Sequence, residues 1–148
     1  MTERKLSGIK KIIIHCSDSE FGTAELIDQW HRARGWSGIG YHYVICNGIA
    51  FHGSPYDPAL DGLIQLGRPL SQIGAHVKGH NADSVGICLI GRRHFTGRQL
   101  LAALPDTIET LMDLPGISGC ENIFAHYEFD AGKTCPNIDI INIRRMMM

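Results

Sequence analysis

Apolar residues along this chain fall into short unbroken runs, separated by stretches in which they recur every three or four positions. Lys10 to Cys16 is a β-branched run with few polar interruptions, which predicts a central strand of a sheet covered on both faces. After a loop from Ser17 to Gly22, Thr23 caps a helix running to about Arg34. Leu26, Ile27, Trp30 and Ala33 form its apolar stripe, and Gly35 sits where a helix-ending glycine belongs. Tyr41 to Cys46 predicts a second strand, with Tyr41, Tyr43 and Ile45 on one face and His42, Val44 and Cys46 on the other. Asn47-Gly48 predicts a hairpin turn into a short third strand, Ile49 to His52. Gly53 to Gly74, rich in Gly and Pro, reads as an irregular surface segment whose length suggests a functional loop. Val85 to Ile90 is a further buried strand. Thr96 and Gln99 form a capping box that opens a helix through Leu100, Leu101 and Leu104. Pro105 is expected to kink or split that helix before it resumes through Ile108, Leu111 and Met112. Ile123 to His126 is the last strand. Strands and helices alternate irregularly around one hairpin, without repeats or linkers. The fold class is therefore α/β: a single domain, 1–148, with a central mixed sheet flanked by helices.

Composition narrows the possibilities. A chain of 148 residues with 44% hydrophobic and 20% charged side chains can bury a core without covalent staples. Its net charge of −1 supplies no basic field, so no nucleic-acid partner is expected. The five cysteines are odd in number and include no CxxC pair, which argues for reduced thiols made in a reducing compartment. No signal peptide and no apolar span of membrane length is read, so stable membrane insertion is not expected.

The candidate chemistry centres on one stretch, His126-Tyr127-Glu128-Phe129-Asp130-Ala131-Gly132-Lys133-Thr134-Cys135-Pro136. An imidazole at a strand end and a thiol on the following loop suit a borderline-soft cation such as zinc. Two ligands hold a metal poorly, and the best third candidate is His15, ending the run Ile12-Ile13-Ile14. Three protein ligands leave one tetrahedral position open, the pattern of catalytic rather than structural zinc. Taken singly, a strand-ending His is more often a hydrogen-bonded structural residue and a lone Cys a buried hydrophobe.

Several pieces together change that balance. Ile13-Ile14-His15-Cys16-Ser17, Gly40-Tyr41-His42-Tyr43, Gly74-Ala75-His76-Val77-Lys78-Gly79-His80-Asn81, Ser84 to Gly91, Ala125-His126 and Lys133-Thr134-Cys135-Pro136 occur in one order. Over roughly residues 9 to 140, the chain resembles the zinc-dependent type 2 N-acetylmuramoyl-L-alanine amidases, which include short phage lysins and peptidoglycan-recognition proteins. Trp30-His31 and Gly35-Trp36 also fall in place. The resemblance implies one zinc ion per chain, held by His15, His126 and Cys135, with Tyr41 and Lys133 as catalytic residues. His76 and Asn81, set among Gly74, Gly79 and Gly86, read as lining the substrate cleft. Glu128 lies near His126 as a possible base, but the resemblance gives it no role. The closing C-terminal helix of relatives is expected to be short or absent.

The implied function is hydrolysis of the amide between N-acetylmuramic acid and L-alanine in peptidoglycan. The expected protein is a monomeric lysin, made in the cytoplasm without a signal peptide and acting on the cell wall after release. A non-catalytic peptidoglycan-binding module and a cytoplasmic enzyme recycling muropeptides are the alternatives.

Overall fold

The structure is a computed structural model and describes residues 2–148. Five strands, β1 (Lys11–Cys16), β2 (Tyr43–Asn47), β3 (Asp61–Leu66), β4 (Ser84–Leu89) and β5 (Ile123–Ala125), form one sheet in the order β3-β2-β4-β1-β5. Every pairing is parallel except β2 with β3, so the sheet is mixed as the strand pattern predicts. β4 is buried throughout and β1 from Ile12 onward, which is why both read as unbroken apolar runs.

Alternation along the strands divides the core between the two faces. Ile12, Ile14, Ile45, Ile87 and Leu89 pack with Leu104, Ile108 and Leu111 of α2 (Leu104–Met112) and with Ile140 and Ile143 of α3 (Ile140–Met146). Val44, Cys46 and Cys88 pack on the other face with Ile27 of α1 (Ala24–Ala33). The Thr23 hydroxyl accepts the Leu26 N–H at 3.1 Å, and Gly35 takes φ 88°, so α1 starts and stops where the sequence indicates.

Four expectations are corrected. The partner of β2 is Asp61–Leu66 and not Ile49–His52. The Asn47 side chain accepts the Ile49 N–H, and Ile49's carbonyl accepts from Gly22, so the backbone after Gly48 is held by a loop. β3 lies inside the segment read as irregular. It is an edge strand with Leu66 77% exposed, and it lacks the buried alternation that marks an inner strand. Tyr41 precedes β2, and its ring packs with the α1-side cluster and not beside Tyr43. Pro105 does not split its helix: a π turn at Gln99–Ala103 lets the Leu104 N–H reach the Gln99 carbonyl, shifting the hydrogen bonding ahead of the proline ring. The helix α3 is short, as expected, but present. The Thr96–Gln99 capping box forms, and buried Gln99 donates on to the carbonyls of Ile45 and Ile90.

Two buried histidines act as acceptors in this frame. His31 Nδ1 accepts the Gly40 N–H at 2.9 Å, and His42 Nδ1 accepts the Gly86 N–H at 3.1 Å. Burial pushes both imidazoles down to about 4. Unfolded, they titrate near 6.5, so the denatured chain binds more protons between these values. The stability they contribute is present above pH 6.5 and is lost as pH falls toward 4. Denaturation at both pH values should show a larger loss for wild type than for His42→Gln, by up to about 3 kcal/mol. Equal losses would show that His42 does not carry the effect.

Candidate metal centre and cleft

The strand register creates the site. Ile14 lies opposite Ala125 in the parallel pair β1–β5, so the residues that follow, His15 on β1 and His126 at the start of the turn after β5, emerge side by side. The last strand thus ends one residue earlier than the sequence predicts. Although 111 positions apart in sequence, their Nδ1 atoms stand 3.2 Å from each other. The loop after His126 returns to bring in the third donor. The Tyr127 N–H donates to the Cys135 carbonyl at 3.0 Å, and the Cys16 N–H donates to Cys135 Sγ at 3.0 Å. One donor atom from each of His15, His126 and Cys135 then lies within 4.8 Å of the others, an arrangement that could hold a metal ion.

The turn carrying His126 is itself clamped. Glu128 accepts the Ala125 N–H at 3.0 Å and pairs with Arg144 Nη2 at 2.8 and 3.2 Å. Arg144 Nε also donates to the Ile123 carbonyl, so α3 ties the end of β5 in place. Glu128 is thereby occupied as a brace.

His76 and Asn81 sit behind the donors. His76 Nδ1 lies 2.8 Å from His15 Nε2, and its other nitrogen lies 3.2 Å from Ser84 Oγ. Asn81 Oδ1 accepts the N–H groups of His76 and Val77. A Cβ at Gly86 would stand 2.7 Å from the His76 ring, so that glycine is what lets the ring lie against β4. Both ring nitrogens of His76 and the side-chain oxygen of Asn81 are thus engaged within the protein, and neither residue lines the cleft described next.

That cleft, about 320 Å³, is walled by Tyr41, His126, Lys133 and Cys135, with Arg34 and Asn137. The Tyr41 ring centroid lies 5.1 Å from that of His15. A larger groove, about 610 Å³, continues past shared Asp18, Thr134 and Asn137 toward Arg92 and Arg93. Burial, reinforced by His76 and His126, holds His15 well below the usual imidazole range, so it is neutral. Burial lowers His126 too. Burial and the nearby thiols hold the Tyr41 phenol well above 10, so it remains a proton donor. The adjacent Cys16 thiol, together with burial, pushes the Cys135 thiol up.

Comparison with known proteins follows the same lines. The family model for N-acetylmuramoyl-L-alanine amidase matches residues 5–138. The chain belongs to the N-acetylmuramoyl-L-alanine amidase family. It is 32% identical over 142 residues to the endolysin of Klebsiella phage KP32, covering 88% of this chain and 82% of the relative. It is 30% identical over 141 residues to the endolysin of Escherichia phage T7, covering 87% and 81%. Among solved structures, N-acetylmuramoyl-L-alanine amidase LysC from Clostridium intestinale superposes with a TM-score of 0.77 at 27% identity, covering 97% of this chain and 89% of that one.

Three features of this amidase-family site were not singled out from sequence. Arg34 and Asn137 line the cleft, and Ser84 joins the histidines behind it. Asn137 directly follows Cys135-Pro136, and Ser84 opens the stretch Ser84 to Gly91, whereas Arg34 left no signal beyond its place at the end of α1. The Arg144 brace generates a direct expectation. Arg144→Ala should lower stability by roughly 1–3 kcal/mol, because Glu128 loses a charged partner. It should also speed amide hydrogen exchange across His126–Glu128. An unchanged exchange rate there would show that α3 does not hold the turn.

Proposed function

We propose that this chain is a zinc-dependent amidase that cuts the bond between N-acetylmuramic acid and L-alanine in peptidoglycan, acting as a phage-type lysin. The convergence of buried His15 with His126 and Cys135, which line the cleft, carries this reading. The donor set suits zinc: two neutral imidazoles and one thiolate leave one positive charge on a divalent cation uncompensated, and a bound cation deprotonates a coordinating thiol. Zinc in such a site supplies a Lewis acid that lowers the pKa of water and polarises a carbonyl.

The chain's own groups do the rest. Tyr41, protonated at neutral pH, is a donor for the oxygen that gains negative charge as the amide carbon becomes tetrahedral. Lys133, exposed on the same cleft wall, offers a second positive partner to that oxygen. The groove running past Asp18 and Asn137 continues from the cleft and offers room for substrate beyond the scissile bond. Residues 1–148 act together as one catalytic domain and as a monomer. The enzyme reaches the wall after release from the cytoplasm. No helix among the described residues is long and apolar enough to cross a membrane. A binding module of the same fold would have no need of the Cys135 donor, which favours the enzyme.

Digestion of purified peptidoglycan tests this. New amino-terminal alanine should appear without new reducing sugar ends, stop with chelator and return with zinc. Cys135→Ser should still bind wall fragments but release no alanine. Lys133→Ala and Tyr41→Phe should each keep zinc while losing roughly 10²–10³ in turnover. Reducing ends in place of alanine would make the protein a glycosidase. Binding without release by zinc-replete wild type would favour the module.

A further inference from the structure

Behind the donors runs a chain of hydrogen bonds whose direction is set at one end. The His80 backbone carbonyl can only accept, and Ser84 Oγ donates to it at 2.7 Å. With its single proton used there, the Ser84 oxygen presents a lone pair to His76 Nε2, 3.2 Å away. His76 must therefore carry its proton on Nε2, which leaves Nδ1 bare in the neutral ring. That bare nitrogen lies 2.8 Å from His15 Nε2, so His15 must carry its proton there and point an unprotonated Nδ1 at His126 and Cys135.

We infer that His76 and Ser84 are positioning residues that fix the tautomer and orientation of His15, so that its Nδ1 is permanently available as a ligand. This rests on the metal reading of the site, which it deepens. Several features hold the relay rigid. Asn81 anchors the His76 backbone, and Gly86 and Gly74 leave no room for a Cβ beside the ring, each such atom falling within 2.8 Å of it. Arg4 donates to the Ser84 carbonyl at 2.7 Å and to the Asn81 carbonyl at 3.1 Å, buttressing both ends of the segment. A doubly protonated His76 would donate to His15 Nε2 and force the wrong tautomer.

The relay makes a demand that simple packing does not. Position 76 needs one acceptor and one donor, which glutamine supplies and leucine does not. In zinc-free wild type, long-range ¹⁵N–¹H correlation spectra should show both His15 and His76 as Nε2–H tautomers. In Ser84→Ala, the His76 ring should lose its preference and His15 should follow. Titration with zinc against a competing chelator should give an affinity about 10–100-fold weaker for His76→Leu, with His76→Gln recovering most of the loss. A zinc-free wild type with the proton of His15 on Nδ1, or equal zinc affinity in the Leu and Gln variants, would overturn the relay. Failure of wild type to bind zinc at all would instead overturn the metal reading. The two failures are distinguishable, because the tautomer spectrum needs no metal.

Discussion

The site depends on a single register, Ile14 opposite Ala125 in the parallel pair β1–β5. Parallel strands point their ends to the same side of a sheet, so a histidine near the end of β1 and one directly after β5 bring the two rings together without a dedicated loop. A slip by one residue would turn one imidazole to the opposite face. The register is guarded by fully buried side chains. Ile12, Ile13 and Ile14 are fully excluded from solvent, as are Val85 and Ile87 on the neighbouring strand. The same isoleucines that hold the fold together therefore aim the donors.

Burial does a second job. Imidazoles sunk among apolar strands resist protonation, and a neutral ring is what a metal ligand requires. The cost appears as acid sensitivity: structural histidines such as His31 and His42, held neutral for their own hydrogen bonds, charge readily once the chain unfolds. The third donor comes from a more exposed loop. It is held by backbone contacts from Tyr127 and Cys16, and the turn before it by the Glu128–Arg144 pair. The centre thus combines one donor on β1, one on the clamped turn after β5 and one on a loop beside the open cleft.

Much of this was legible in the sequence, for definable reasons. The inner strands announce themselves as β-branched runs, and α1 carries its cap, stripe and terminating glycine in order. The donors could be nominated because they end apolar runs or sit between Gly132 and Pro136. The edge strand β3 was not legible, since a half-exposed strand containing Gly62 lacks both alternation and a buried run. Asn47-Gly48 looked like a hairpin because that dipeptide favours the turn wherever it occurs, whereas here the Asn47 side chain bonds locally. His76 and Asn81 read as cleft residues because their glycine-rich setting suggested close approach. The close approach is real, but it is of the His76 ring to Gly86, behind the donors. Spacing along a chain reveals that a residue is hemmed in, and only the packed structure reveals by what.

In the proposed site, His15, His126 and Cys135 together hold one metal ion and leave it open on the cleft side. X-ray absorption at the zinc edge of the stoichiometrically loaded protein tests it most directly. Two imidazole nitrogens at about 2.0 Å and one sulfur at about 2.3 Å are expected, with the sulfur lost in Cys135→Ser. A spectrum without sulfur, or one with four protein ligands closing the site, would contradict it.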